Sequence, residues 1–228
     1  MILLLETSTD ICSVGLASQS KLIHSVTSDE PNVHSSLLTV LIAQCLSEAG
    51  ASISDLKAIA VSDGPGSFTS LRVGAAVAKG MCYALALPLI KIESLKAIAI
   101  GVLLKSTIKD KDTIRPMIDA RRLEVYTALY DDNLVPIEEI SAFIATEHHE
   151  LYIPVGGNLH LCGDGARKIY EYFSHQEGLV LHDVIAHARN LVLLAEQAFE
   201  HGKFENIAYY TPSYLKGASI TVSKKKFW

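Results

Sequence analysis

Residues 63–74 read DGPGSFTSLRVG and join an apolar, strand-like segment (56–61) to a long helical pattern that is rich in small residues. Gly-Pro-Gly reverses the backbone at little steric cost, because glycine accepts a positive φ and proline fixes its own φ. Ser67 or Thr69 is then expected to cap a helix whose first N–H groups point at whatever lies before them. The segment therefore fits either a phosphate-binding loop or a structural turn at an interface.

The phosphate-binding interpretation involves two loops. Residues 63–74 lack the GxxxxGK[ST] spacing and carry no lysine for a β-phosphate, although Arg72 in the first helical turn is able to reach an anion. Residues 6–10 read ETSTD and supply acids and hydroxyls but no glycine, which also fits a structural turn. The candidate phosphate contacts are Thr7, Ser8, Gly64, Gly66, Ser67, Thr69 and Arg72.

Length and composition limit the class of protein. A chain of 228 residues with 49% hydrophobic and 20% charged residues can form one large domain or two smaller ones. The formal net charge of −5 argues against a protein that binds nucleic acid by itself. Four scattered cysteines without a CxxC pair are expected to be buried thiols in a reducing compartment. The apolar start, 1–5, is too short for a membrane span, so we expect a cytoplasmic protein without a membrane anchor.

The two halves of the chain share one order of predicted elements. Each half begins with three strands, with an acidic turn after the first (Glu6 and Asp119), and then alternates helices and strands. Each half also has a later strand that runs into an Asp-Gly step, at Asp63 and Asp164. This order predicts an α/β protein of actin-like type, with duplicated βββαβαβα lobes and a reduced second lobe.

A polar window at residues 105–113 is the predicted junction between the lobes. It separates an amino-terminal lobe, 1–104, from a smaller lobe, 114–228, that ends in a basic run at 224–226. The predicted strands are 1–5, 11–17, 21–27, 57–62, 88–92, 114–118, 123–130, 134–138, 151–155, 159–162 and 179–182. The predicted helices are 34–49, 69–86, 166–174, 188–201 and one that begins at Ser94.

The sequence contains no recognisable catalytic or metal-binding signature, so none is predicted. HxxH, HxxxH, HExxH and GxSxG are absent, and the adjacent His148 and His149 do not share a helix face. Residues 119–122 read DARR and place two guanidinium groups beside an acid at a hairpin. That arrangement fits either a solvated turn with local ion pairs or a contact with an anion or a partner.

Several motifs resemble those of the TsaB (YeaZ) family of bacterial tRNA-modification proteins, over essentially the whole chain. They are ETST at 6–9, CSV at 12–14, HS at 34–35, GPGSFT at 64–69, LRVG at 71–74, DAR at 119–121, EVY at 124–126, GDGA at 163–166 and PSYLK at 212–216. Ser70 is a departure, since the family usually has glycine there. The resemblance implies an actin-like (ASKHA) fold and a role in making N6-threonylcarbamoyladenosine at position 37 of tRNA.

By the same resemblance the chain is a non-catalytic scaffold. It implies that the paralogue TsaD is the catalytic, metal-holding subunit, that the ATPase TsaE joins the assembly, and that tRNA is reached through the complex. No tightly bound cofactor is expected, although ATP or ADP can lie at the junction between subunits. Docking is implied through helices of the amino-terminal lobe, and a homodimer is expected when the partner is missing. The candidate interface residues are Leu37, Leu38, Leu41, Cys45, Ala75, Ala76, Lys79 and Cys82.

A function of a different class stays open from the residues alone. An independent actin-like ATPase or small-molecule kinase would use Glu6, Asp63 and Asp164 around magnesium. The glycine-poor phosphate loops and the small second lobe argue against this alternative.

Overall fold

The computed structural model describes residues 1–28, 30 and 34–216, and within them the chain forms two five-stranded sheets with α-helices packed on their faces. The first sheet contains β1 (Ile2–Glu6), β2 (Cys12–Ser18), β3 (Lys21–Ser28), β4 (Ala58–Gly64) and β5 (Leu89–Glu93). The helices of this half are α1 (His34–Glu48), α2 (Phe68–Leu85) and α3 (Ser94–Leu103). The strand order is β3-β2-β1-β4-β5, with an antiparallel β1-β2-β3 meander and parallel β1-β4 and β4-β5 pairs.

The second half repeats this topology with fewer helices. Its elements are β6 (Thr113–Asp119), β7 (Glu124–Tyr130), β8 (Pro136–Ile144), β9 (Leu159–Cys162), α4 (Ala166–Tyr172), β10 (Leu179–Leu181) and α5 (Ala188–Glu200). The order β10-β9-β6-β7-β8 matches the first sheet strand for strand. A single 3₁₀ turn, Ala145–Glu147, stands where the first half has α1. The duplicated actin-like architecture with a reduced second lobe is thereby confirmed.

The helices lie in three layers around the two sheets. On the first sheet, α1 and α2 cover one face, through residues such as Leu38, Cys45 and Ala78, and α5 covers the other face. On the second sheet, α3 covers one face and α4 the other. Helices α3 and α5 therefore lie between the sheets, and each packs on the sheet of the opposite half.

The division into lobes at 1–104 and 114–228 stays a prediction, and the basic run 224–226 lies outside the described residues.

The strand predicted near 151–155 is wrong. Leu151 is buried, but both of its backbone groups bond to the side-chain amide of Gln176, at 2.8 and 2.7 Å. Pro154 has no N–H to donate to a ladder, and none of the strands that the structure describes pairs with this segment. The strand predicted at 134–138 is instead the longer β8.

The predicted burial of the cysteines is confirmed, because all four are buried and lie free of disulfides. Burial raises the pKa of Cys12, Cys45 and Cys82 to about 11. Among the described residues, none of the helices has both the length and the apolar character that crossing a membrane requires.

Candidate functional site

The GPGSFT segment connects β4 to α2, as predicted. Gly64 has a φ of 110°, which favours glycine, and the Gly64–Pro65 peptide bond is cis. Ser67 occupies the N-cap position, but its hydroxyl accepts a hydrogen bond from Ser70 Oγ (2.9 Å) and does not cap the backbone. Thr69 lies within the first turn of α2 and is exposed. The predicted side-chain cap is therefore wrong. The Ser67 hydroxyl is bonded to the Ser70 hydroxyl and not to a backbone N–H of the first turn.

The two predicted phosphate loops pack directly on each other. A β-carbon added to Gly66 would lie 2.2 Å from the Ser8 carbonyl oxygen, and one added to Gly74 would lie 2.2 Å from Thr7 Oγ1. The Ser67 N–H also donates to the Ser8 carbonyl oxygen at 2.7 Å. The two glycines thus allow the two loops to touch. The loops thereby fill the space that a bound phosphate would need.

The polar groups of the first loop are enclosed by this contact. Glu6, Thr7 and Ser8 are fully buried. Glu6 Oε1 accepts the Ser8 N–H at 2.7 Å, whereas Glu6 Oε2, Thr7 Oγ1 and Ser8 Oγ have no hydrogen-bond partner among the described residues. Burial raises the pKa of Glu6, and the hydrogen bond from the Ser8 N–H opposes this rise only in part. The environment of this carboxyl therefore favours its protonated form.

A carboxy-terminal segment, residues 205–216, crosses the GPGSFT loop and is called the C-terminal strap below. Ser213 holds it to the end of β4, since its N–H donates to the Asp63 carbonyl oxygen (2.8 Å) and its hydroxyl to Asp63 Oδ2 (2.7 Å). Tyr210 joins the core beneath α2, and Lys216 binds Glu124 in the second half. The strap thus links α2 to both halves of the molecule.

Arg72 is held by the strap and does not point into the loop. Its guanidinium carbon lies 4.1 Å from the centroid of the Phe68 ring, and its Nε donates to the Tyr214 hydroxyl at 3.4 Å. The Phe68 and Tyr214 rings pack at 4.7 Å. The arginine is therefore an exposed cation stacked on aromatic rings at the outer face of α2.

An open groove of about 460 Å³ runs between the outer face of α2 and the strap. Arg72 and Lys79 line it, together with Ala76 and Tyr210. Lys79 donates to the Tyr210 carbonyl oxygen at 2.9 Å, and neither cation forms an ion pair with a carboxylate in the described part of the chain. The groove is thus partly apolar and carries uncompensated positive charge.

Acidic residues of the second half lie at the equivalent strand ends. Asp164 Oδ1 accepts the Asp119 N–H at 3.1 Å, and desolvation together with the nearby Asp119 and Asp10 carboxylates raises the pKa of Asp164 to about 6. Over residues 1–28, 30 and 34–216, no group of three or more metal-ligand side chains is arranged to hold an ion. The magnesium arrangement of Glu6, Asp63 and Asp164 is therefore not formed.

Comparison with known proteins identifies the family to which this chain belongs. A family model described as TsaD, tRNA N6-adenosine threonylcarbamoyltransferase, matches residues 28–222. The tRNA threonylcarbamoyladenosine biosynthesis protein TsaB of Escherichia coli (strain K12) is 30% identical over 222 residues, which cover 94% of each chain. The chain belongs to the TsaB (YeaZ) family. The resemblance stated from the motifs is thereby confirmed.

Solved structures agree with this membership. YeaZ from Pseudomonas aeruginosa is 26% identical to this TsaB-family chain, with a TM-score of 0.79 over 94% of this chain and 99% of that one. An activator of 2-hydroxyisocaproyl-CoA dehydratase from Clostridium difficile has a TM-score of 0.52 at 11% identity, covering 90% of this chain and 98% of that one. At that identity, the second similarity shows the fold alone.

The predicted interface residues of this TsaB-family protein differ in how far their side chains are buried. Leu38, Leu41, Cys45, Ala75 and Cys82 are buried in the core of the protein itself. Leu37 and Lys79 are half-buried, and Ala76 is exposed. The first five contribute to packing of α1 and α2 on the first sheet, so the accessible candidates for docking are Leu37 on α1 and the exposed or half-buried residues of α2.

The accessible face of α2 carries small residues at every fourth position. Ala76, Gly80 and Ala84 are all exposed, and a β-carbon added to Gly80 would meet nothing within 4 Å. Tyr83 lies beside them with 84% of its surface accessible. Such spacing lets a second helix approach closely. This strip, called the small-residue strip below, was visible in the sequence only as part of an all-round small pattern.

Replacing Glu6 with glutamine is expected to raise the free energy of unfolding at pH 7 by about 1–2 kcal/mol, because it removes a buried, incompletely bonded carboxylate. Since the folded-state pKa of Glu6 is raised, the destabilisation that its charge causes decreases as the pH falls toward about 4.3, the ordinary glutamate pKa. The gain from Glu6→Gln should therefore disappear near that pH.

Urea unfolding of both proteins between neutral and acidic pH measures this difference. Glu139→Gln is the matched control, because Glu139 is exposed on β8. A Glu6→Gln variant that is less stable than wild type at pH 7 would contradict the assignment of an enclosed carboxyl with a raised pKa.

Proposed function

We propose that this chain is a non-catalytic subunit required for synthesis of N6-threonylcarbamoyladenosine in tRNA. The family match carries the proposal, because the Escherichia coli relative that aligns with 94% of the chain is named as a tRNA threonylcarbamoyladenosine biosynthesis protein. The match to the TsaD transferase model reflects a shared domain. We assign the transfer reaction itself to a separate TsaD-type subunit.

The enclosed loops support a non-catalytic role. Gly66 and Gly74 close the two loops on each other, and the Thr7 and Ser8 hydroxyls lie beneath that contact. A nucleotide would need those backbone N–H and hydroxyl groups to be open to it. We therefore propose no tightly bound cofactor within the chain, and we assign ATP or ADP to the junction between subunits. The alternative of an independent ATPase or kinase is not favoured.

The accessible face of α2 supports docking of a TsaD-type subunit. The small-residue strip allows close helix approach, Tyr83 offers a large exposed side chain, and the groove beside it supplies the cations Arg72 and Lys79. A second copy of this chain presents the same strip, so a homodimer is the expected form without the partner. In the full assembly we expect a TsaE-type ATPase to join, with tRNA reached through the complex.

Reconstitution tests this proposal. Unmodified tRNA, the other subunits of the same organism and their small-molecule substrates are incubated with or without this chain, and the modified nucleoside is measured after digestion. We expect the nucleoside to form only when the chain is present. Equal yields with and without it would contradict the proposal.

A further inference from the structure

A row of hydrogen-bonded side chains lies where the connection between α3 and β6 meets the second sheet. His160 is at its centre, with Nε2 3.1 Å from Asp112 Oδ2 and Nδ1 2.7 Å from His182 Nε2. The other ring nitrogen of His182, Nδ1, lies 3.4 Å from Ser106 Oγ. Asp112 and His160 are buried, whereas His182 and Ser106 are partly accessible. These four residues, called the histidine row below, lie outside the candidate site at α2.

The buried end of the histidine row holds the backbone of the connection. Asp112 Oδ2 accepts the Lys109 N–H at 3.0 Å, and Asp112 Oδ1 accepts the Asn158 N–H at 2.8 Å. The carboxylate therefore ties the segment after α3 to the loop before β9, the strand that carries His160. Burial by itself would raise the pKa of Asp112, but the hydrogen bonds from these two N–H groups and from His160 outweigh it and lower the pKa. Asp112 is thus an ionised acceptor.

The hydrogen bonds determine how many protons the two rings can carry. An ionised Asp112 only accepts, so Nε2 of His160 carries a proton. When both rings are neutral, His160 Nδ1 accepts from His182 Nε2–H, and His182 Nδ1 accepts from the Ser106 hydroxyl. One added proton reverses these two bonds, because His160 Nδ1–H then donates to His182 Nε2, and His182 Nδ1–H donates to Ser106 Oγ. Every hydrogen bond of the row is kept in both states.

A second added proton breaks the row. With both rings charged, two N–H groups would face each other across the 2.7 Å between His160 Nδ1 and His182 Nε2, and no acceptor would remain between them. Two positive charges would also lie in contact, and each disfavours the other. The folded arrangement therefore takes up at most one proton on the two histidines.

The surroundings of the histidine row do not supply a second counter-charge. Within the described residues, Asp112 is the one carboxylate that contacts either ring. On β6, Arg115 is paired with Glu138, and burial raises the pKa of the Cys162 thiol on β9. The charged residues of the neighbouring segments are all exposed, namely Lys105 after α3, Lys109, Asp110 and Lys111 in the connection, and Asp183 after β10.

We propose that the histidine row is a one-proton switch, which holds the connection between α3 and β6 on the second sheet and releases it when acidification charges both rings. A released segment can protonate both histidines near their ordinary pKa of about 6.5, whereas the held segment takes up at most one proton. Release therefore binds one more proton, so it becomes more favourable as the pH falls below about 6.5. Burial and the neighbouring His160 lower the pKa of His182, which agrees with this direction.

Urea unfolding of the full chain between pH 7 and pH 5 tests the number of protons. In His182→Gln the amide can either donate to His160 or accept from it, and it does not titrate. Below about pH 6, the unfolding equilibrium constant of wild type should increase about tenfold more per pH unit than that of the variant, the value for one proton. His149→Gln removes an exposed histidine outside the row and should keep the wild-type pH dependence. Equal pH dependence of wild type and His182→Gln would overturn the inference.

Two measurements on the wild-type chain do not depend on any variant. Nitrogen NMR of the imidazole rings at pH 5 should show at most one charged ring between His160 and His182 while the chain is folded. Hydrogen exchange at residues 105–112, corrected for the intrinsic pH dependence of exchange, should lose about tenfold protection per pH unit below pH 6. Two charged rings in the folded chain, or protection that does not change with pH, would each overturn the inference.

Discussion

Replacing Gly66 with alanine is expected to lower the free energy of unfolding by about 3 kcal/mol. The new methyl carbon would lie 2.2 Å from the Ser8 carbonyl oxygen, which also accepts the Ser67 N–H. The Ser8 carbonyl belongs to the backbone, and the backbone also fixes the position of a β-carbon, so no side-chain rotation relieves the contact. For a chain of this size the loss corresponds to a fall in melting temperature of about 6–12 °C, measurable by calorimetry or urea unfolding.

Gly80→Ala is the matched control, because it places the same methyl group in the same region of the chain. Nothing lies within 4 Å of its added β-carbon, and alanine is the better helix former, so a gain of about 1 kcal/mol is expected. If Gly66→Ala unfolds at the wild-type midpoint, the two loops are not in contact and the phosphate cleft is open. An open cleft would leave room for a nucleotide within the chain, which contradicts the proposed non-catalytic role.

Replacing Ala76 with glutamate is expected to weaken binding of the TsaD-type subunit about 100-fold, because a long, hydrated side chain in place of a methyl group would keep a second helix from approaching this face closely. The side chain of Ala76 is exposed in the isolated chain, so the free energy of unfolding should change by less than about 0.5 kcal/mol. Isothermal titration calorimetry with the purified partner measures the dissociation constant, and thermal unfolding checks the fold.

Gln197→Glu provides the control for charge. It makes the same change of one charge on an exposed position of α5, which covers the opposite face of the first sheet from α2. Wild-type affinity is expected for this variant. If Ala76→Glu binds equally well, the docking surface lies elsewhere. Leu41 is unsuitable for this test, because it is buried in the core and a charge there would unfold the chain.

Periodic segments of the sequence predicted the elements well, because their patterns are local. The stripe of apolar residues in α1 and the strand-turn-helix order around residues 63–74 depend on neighbours within a few positions. The strand predicted near 151–155 failed since its hydrogen bonds go to Gln176, a side chain 25 positions away from Leu151. No local pattern carries that information.

The local sequence was also insufficient to predict the contacts of the candidate site. GPGSFT marked the loop, but only the fold shows that Gly66 contacts Ser8 and that the C-terminal strap reaches Asp63. Small residues in 71–86 suggested docking without separating the buried Ala75 from the exposed Ala76. Burial depends on which helix face meets the sheet, and a helix that is small on all sides leaves that choice to tertiary packing.

The most direct measurement is a titration of modification activity with this chain. At a fixed concentration of the TsaD-type subunit, the other components and unmodified tRNA, the initial rate is measured as the chain is added. A required non-catalytic subunit predicts no activity from the chain alone, a rate that rises with its concentration, and a plateau once the TsaD-type subunit is saturated. A rate that does not depend on the chain, or product formed by the chain without that subunit, would contradict the account.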